Sequence, residues 1–181
     1  MKKIIIAAAL VCATAFAGAA TVGWSHAGLN SYVGDSYYVF VVGQNGVADI
    51  ATVTALLDAG EDFSSYVFGN GTIAANGSGN ISAPSTGKTL DVGTYTAFTI
   101  VFNSAAPTAG ESQYLLISGR ANQTKTIGAS TSTIAFATGN VASLANDASN
   151  WKDYGAAVPE PTSAMLLVLG VAALALRRKQ K

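Results

Sequence analysis

The sequence predicts a mainly β protein: one β-sandwich-like domain with a short amphipathic helix, flanked by an N-terminal signal peptide and a C-terminal transmembrane helix. Three observations support this. Short runs of aromatic and β-branched residues alternate with clusters of Gly, Asn and Ser, which is typical of strands joined by turns. Between the two chain ends, helical periodicity is clear in only one stretch. Both chain ends combine basic residues with an uncharged apolar run.

The first 20 residues have the organisation of a secretory signal peptide. Two lysines precede an apolar run over residues 4–16. Small residues then satisfy the small-x-small rule for signal peptidase in two registers, one residue apart. The residues that we assign to cleavage are Ala17 and Ala19, the two small residues of the first register, and Ala20, which ends the second. We therefore expect the mature chain to begin at Ala20 or Thr21.

The body that remains, residues 21–157, is acidic. It has four basic and nine acidic side chains and a net charge of −5, which the basic chain ends mask in the neutral total. Such a surface repels phosphate groups, so we expect no binding to nucleic acid. The single cysteine, Cys12, lies in the signal peptide. The mature body therefore has no disulfide bonds, thiolate catalysis or cysteine metal sites.

The first half of the body contains its clearest strand. A first strand is predicted over residues 21–24. Residues 36–42 are apolar at both sets of alternate positions. A strand that is apolar on both faces is typical of the centre of a sheet covered on both sides.

The one good helix candidate follows over residues 48–59. Ile50, Val53 and Leu57 have the i, i+3, i+7 spacing of a single helix face. Gly60 is a suitable C-terminal stop. We expect this helix to lie across the sheet and to cover one face or one open end.

The rest of the body reads as further short strands. Residues 94–102 and 113–118 predict a hairpin, in which Phe98, Ile100 and Phe102 share one face. Residues 141–149 predict a short helix or loop, after which Trp151 and Tyr154 dock the end of the body. The other predicted β segments are 63–68, 71–75, 79–83, 125–127 and 132–137.

No catalytic, metal or cofactor site is predicted. The only histidine, His26, is expected to be exposed or packed, and a paired-carboxylate hydrolase cannot be selected from spacing alone. Acidic residues around Gly60 are expected to form a solvated helix end. Trp24 and Trp151 could stack on sugar rings, as could Tyr32 and Tyr154, but core packing is the simpler explanation of these aromatic residues.

Residues 158–181 form the C-terminal signal. The motif Val158, Pro159, Glu160 and Pro161 is held extended by its prolines. A helix over residues 162–176 would span about 22 Å, less than the roughly 30 Å of a bilayer core. The basic stop-transfer residues are Arg177, Arg178, Lys179 and Lys181. By the positive-inside rule this tail stays cytoplasmic and the body lies outside.

These three parts, in this order, resemble the PEP-CTERM sorting signal of Gram-negative bacteria. The resemblance covers about 24 of the 181 residues. It implies processing by an exosortase, an inner-membrane intermediate and delivery to the cell surface or the extracellular space. Signal peptidase is the other processing partner that we expect. We further expect the protein to be a non-enzymatic component of the cell surface or of a biofilm matrix. The alternatives are a carbohydrate-binding module acting on extracellular polysaccharide and, third, an exported hydrolase.

Overall fold

A computed structural model describes residues 19–75, 79–83 and 87–155. Within these ranges the chain forms ten strands and two α-helices. In chain order they are β1 (Ala20–Ala27), β2 (Ser36–Val41), α1 (Ile50–Ala59), β3 (Gly69–Thr72), β4 (Ile81–Ala83), β5 (Thr89–Leu90), β6 (Gly93–Phe102), β7 (Gln113–Ile117), β8 (Thr124–Ile127), β9 (Thr133–Asn140), α2 (Ala142–Ala145) and β10 (Trp151–Asp153).

The strands form two sheets, which agrees with the predicted β class. In sheet A, β1 pairs antiparallel with β4 and β5 and parallel with β9. Sheet B has the order β10-β7-β6-β2-β3. The long strand β6 pairs with β8 through residues 93–96 and with β7 through residues 99–102. The β6–β7 pairing is antiparallel, so the predicted hairpin is confirmed.

The space between the sheets is the inter-sheet core. Val22, Trp24 and Phe136 of sheet A pack there with Val39 and Val101 of sheet B. Alternate residues of β1 and β9 are buried, because side chains along a strand point to opposite faces. This burial of one face of each strand joins the two sheets into a sandwich.

The outer face of sheet B carries a second cluster, the helix-side core. Val53 and Leu57 of α1 pack there with Phe40, Phe98 and Phe102. Strand β2 therefore contributes one face to each core, as its two apolar faces predict. The layers are sheet A, sheet B and α1, and the expectation that the helix covers one sheet face is confirmed.

Local hydrogen bonds set the ends of α1. The Asp49 carboxylate accepts the Thr52 backbone N–H at 2.8 Å, so the helix begins at Ile50. Gly60 has a φ of 70°, and its N–H donates to the Leu57 carbonyl at 3.1 Å. A left-handed residue at this position terminates a helix with little cost when it is glycine.

The prediction of β structure over residues 63–68 is wrong. Ser64–Tyr66 form a 3₁₀ turn, because the Asp62 carboxylate accepts both the backbone N–H and the hydroxyl of Ser64. The turn also directs two nearby aromatic residues into different cores. Tyr66 packs against the helix-side core, whereas Phe68 is in the inter-sheet core.

Other predicted boundaries shift. The first strand extends over eight residues, and the predicted strands 71–75 and 79–83 correspond to β3 and β4, which belong to different sheets. Most of the predicted signal peptide and the whole of the C-terminal signal lie outside the described residues. Among the residues that the structure describes, no helix is long and apolar enough to cross a membrane.

Candidate functional site

Trp24 fills space inside the sandwich. Its side chain is 3% exposed and meets Phe68 edge-on, with ring centroids 6.3 Å apart. A Cβ atom at Gly69 would lie 2.0 Å from the indole ring, so the ring rests directly on the backbone of β3. Of the two interpretations of Trp24, the structure shows core packing and not sugar stacking, because the inter-sheet core encloses the indole.

Trp151, the second predicted stacking residue, is placed differently. It is partly buried in the edge strand β10 and lines a pocket of 180 Å³. Tyr32 lines the same pocket, and the two ring centroids are 4.7 Å apart with an interplanar angle of 32°. The other lining residues are Asn103, Gln113, Ala145, Asn146 and Ala148. We call this set of residues the aromatic pocket.

Two hydrogen bonds hold the aromatic pair in place. The indole Nε1–H of Trp151 donates to the Ala145 carbonyl at 2.8 Å, and the Tyr32 hydroxyl donates to the same oxygen at 3.0 Å. Ala145 is the last residue of α2, so this short helix supplies the shared acceptor. Tyr32 follows β1 by several residues, whereas Trp151 begins the last strand. The pair is therefore assembled by tertiary structure.

His26 is packed in the inter-sheet core and is 4% exposed. Its Nδ1 is hydrogen-bonded to the Thr138 hydroxyl, and its Nε2 lies 2.6 Å from the Thr99 hydroxyl oxygen. Burial, with a smaller contribution from the positive charge of Arg120, lowers the pKa of His26 to about 4. At neutral pH this imidazole is neutral, and both of its nitrogens are occupied.

His26 also lies at a second pocket, of 250 Å³, beside β1, β4 and β9. Its neighbours there include Ser25, Asn80 and Gly139. None of the residues that line either pocket is an aspartate or a glutamate. A nucleophile and base arrangement needs a histidine or carboxylate within reach of the reacting group, and His26 already uses both nitrogens for the two threonines.

The acidic residues near Gly60 have structural roles at the end of α1. Asp58 accepts a hydrogen bond from the Tyr114 hydroxyl, and Asp62 caps the following turn. Hydrogen bonds from the Ser64 backbone and hydroxyl lower the pKa of Asp62. Across the described residues, no group of three or more His, Cys, Asp or Glu side chains is arranged to hold a metal ion.

The end of the described body is fixed onto this region. The Tyr154 ring is in the helix-side core, as predicted, and the Tyr154 N–H donates to the Ser112 carbonyl at 2.8 Å. The Gly155 N–H donates to the Leu57 carbonyl at 2.8 Å. The body is thus bonded to α1 up to Gly155, three residues before the motif at Val158.

Of the processing residues, the structure describes two. Ala19 is exposed and precedes β1. Ala20 is the first residue of β1, has 0% exposure and pairs with Leu90 of β5. The remaining residues assigned to processing or sorting lie outside the described ranges: Ala17, Val158, Pro159, Glu160, Pro161, Arg177, Arg178, Lys179 and Lys181.

The folded body thus precedes a terminal segment with the features of an export signal. That combination defines a class of exported proteins that an exosortase sorts to the cell surface or the extracellular space. A family model for the PEP-CTERM protein-sorting motif matches residues 157–179, so the chain carries this motif. No curated protein and no solved structure matches the chain.

Proposed function

We propose that this protein is a non-enzymatic component of the cell surface or of an extracellular polysaccharide matrix. Signal peptidase removes residues 1–19, and the C-terminal helix holds the chain briefly in the inner membrane. Exosortase then processes the chain at or near the Pro159–Pro161 motif. The observation that carries the proposal is the match to the PEP-CTERM motif at residues 157–179.

The body has features that suit such a role. Its net charge of −5 gives a soluble exterior that does not adhere to nucleic acid. Its two apolar cores stabilise it without disulfide bonds. Backbone hydrogen bonds hold the body to α1 as far as Gly155, two residues before the matched motif begins at residue 157.

An exported hydrolase is less well supported. Hydrolysis by two carboxylates needs two acids that face one cleft, and the linings of both pockets are free of acidic residues. The only histidine is buried and bonded to two threonines. The composition of the two pocket linings and the bonded histidine favour a binding or structural role for the body.

Cell fractionation with targeted variants tests the sorting proposal. Deleting residues 158–181 should move the protein away from the surface or extracellular fraction. Replacing Pro159, Glu160 and Pro161 together by alanine should have the same effect, although the helix and basic tail remain. Gln44→Ala, in the β2–α1 turn of the body, is the matched control and should leave the location unchanged.

Intact-mass measurement of the exported protein completes the experiment, because it locates both cleavage points. A surface protein that retains residues 162–181 would contradict removal of the C-terminal helix. An unchanged location after the alanine replacement of the motif would overturn the role of exosortase.

A further inference from the structure

We infer that the aromatic pocket binds one neutral sugar ring of an extracellular polysaccharide. Tyr32 and Trp151 supply an aromatic surface for the ring, and the neighbouring carboxamides supply hydrogen bonds to its hydroxyl groups. The inference rests on the proposed function in one respect: export to the cell surface or matrix is what brings the body to polysaccharide.

The aromatic side of the pocket is preorganised. Trp151 and Tyr32 are bonded to the same carbonyl oxygen, and each restricts the other because their rings are in contact. A sugar ring has one or two faces of C–H groups, and burying such a face against an aromatic ring removes apolar surface from water. Because the side chains are already held, binding costs less ordering entropy.

The polar side of the pocket has unused hydrogen-bonding capacity. The side-chain oxygen Oδ1 of Asn103 accepts the Gln113 backbone N–H at 2.7 Å, which orients the Asn103 carboxamide. Within the described part of the chain, neither the Asn103 amide nitrogen nor the Asn146 carboxamide has a protein hydrogen-bond partner. A carboxamide both donates and accepts, which matches the donor and acceptor character of a sugar hydroxyl.

Gln113 is also held in position. Its side-chain nitrogen donates to the Asp153 carboxylate at 2.9 Å, so the carboxamide lies beside the edge strand β10. The lining thus has two aromatic rings and three carboxamides that come from separate parts of the chain. This composition, apolar surface with a few placed polar groups, is typical of small-molecule sites.

Charge and size narrow the ligand class. No residue that lines the pocket is charged, and the net charge of −5 on the body opposes the approach of an anionic polymer. The volume of 180 Å³ is below the roughly 300–1,000 Å³ of pockets for drug-sized ligands. A single neutral hexose unit is therefore the ligand that the pocket best accommodates.

The test uses the exported, processed protein purified from its producing cells. The probes are neutral hexasaccharides of glucose, galactose and mannose, with an oligogalacturonate as the acidic comparison. The chain has two tryptophans, and Trp24 is enclosed in the core. A saturable change in tryptophan fluorescence would therefore report on Trp151, and calorimetry gives the dissociation constant. We expect at least one neutral hexasaccharide to bind at least tenfold more tightly than oligogalacturonate.

Calorimetry on variants then locates the site. Trp151→Ala should weaken binding at least tenfold, and Asn146→Ala should weaken it severalfold. Asn146 is exposed, so its replacement leaves the core intact. Gln44→Ala, a carboxamide removed outside the pocket, is the control and should leave the dissociation constant unchanged. Far-UV circular dichroism checks that each variant is folded.

Three results would overturn the inference. They are the absence of saturable binding to every neutral probe, binding that survives both pocket variants, and equally tight binding of the acidic probe. None of these binding results changes the outcome expected of the sorting test, in which the location of the protein is measured after deletion of residues 158–181. Failure of the glycan site and failure of the sorting proposal are thus distinguishable.

Discussion

His26 on β1 joins the two sheets through Thr99 on β6, because the imidazole Nε2 lies 2.6 Å from the threonine hydroxyl oxygen across the inter-sheet core. The other ring nitrogen is bonded to Thr138 on β9, the parallel neighbour of β1. One polar side chain thus connects three strands inside an apolar layer. A neutral imidazole satisfies this arrangement, since one nitrogen donates and the other accepts.

This linkage predicts a loss of stability in mild acid. Burial lowers the pKa of His26 from 6.5 to about 4, so the unfolded chain binds a proton at a higher pH than the folded chain does. The contribution of His26 is complete above pH 6.5 and is lost as the pH falls towards 4, by about 3 kcal/mol in all. Urea denaturation between pH 7 and pH 4.5 measures this loss.

His26→Gln provides the comparison, because glutamine keeps polar atoms in the core and does not titrate. The carboxylates titrate in both proteins, so the difference between their pH profiles isolates the histidine. Parallel profiles for the two proteins would contradict a depressed pKa for His26.

A second prediction concerns the bond between Tyr114 on β7 and Asp58 on α1. The Tyr114 side chain has 0% exposure, and its hydroxyl donates to the Asp58 carboxylate. Burial, together with this carboxylate, raises the tyrosine pKa, so the hydroxyl stays a donor at neutral pH. Tyr114→Phe should lower the free energy of unfolding by about 1–2 kcal/mol, through the lost bond to a charged acceptor.

Chemical denaturation of Tyr114→Phe and Tyr95→Phe measures this effect. Tyr95 is partly buried and makes no side-chain hydrogen bond to another described residue. Its hydroxyl should therefore matter less, with a change within about 0.5 kcal/mol. Equal destabilisation by the two substitutions would show that the bond to Asp58 contributes nothing specific.

A third prediction follows from the contact between Gly69 and Trp24. Any side chain at residue 69 would overlap the indole, since a Cβ atom there lies 2.0 Å from the ring. The ring is enclosed and cannot move without disturbing the inter-sheet core, so Gly69→Ala should cost about 1–3 kcal/mol of stability.

Gly128→Ala is the matched control for this substitution. A Cβ atom there would have Thr131 as its nearest neighbour at 3.7 Å, which is ordinary contact. We expect thermal unfolding to show a lower midpoint for Gly69→Ala and little change for Gly128→Ala. A Gly69→Ala protein as stable as the control would mean that the indole can shift at little cost.

A fourth prediction selects between the two expected N-termini. Ala20 is fully buried and pairs with Leu90, whereas Ala19 is exposed and precedes the strand. A mature chain that begins at Ala20 keeps β1 whole, and one that begins at Thr21 loses a buried methyl group and a strand position. We expect intact-mass analysis to place cleavage after Ala19. A mass smaller by one alanine residue would contradict this.

Much of the fold was accessible from the sequence because the relevant signals are local. The two apolar faces of β2 predict its central position, and the spacing of Val53 and Leu57 predicts the buried face of α1. The turn at 64–66 was missed because aromatic content suggested a strand, whereas the Asp62 side chain competes for the backbone N–H of Ser64. Such side-chain capping depends on geometry that composition does not reveal.

Only the aromatic half of the pocket could be predicted from the sequence. Trp24, Tyr32 and Trp151 could all be proposed as stacking residues from their chemistry, but the sequence cannot say which of them the fold encloses. Asn103, Gln113 and Asn146 carried no signal at all. Each lies in a different segment, and their meeting depends on the β6–β7 hairpin and on the pairing of β10 with β7.

By itself the sequence determined the destination of this protein and the class of its fold. A sorting motif is read along a contiguous stretch of chain, and alternation and helical spacing report which faces are apolar. Only the tertiary structure decided that β9 lies parallel to β1, that Trp24 is enclosed and that Trp151 lines a pocket with Tyr32. The physical reason is that burial depends on contacts between residues far apart in the chain, and local patterns carry no information about which distant segments meet.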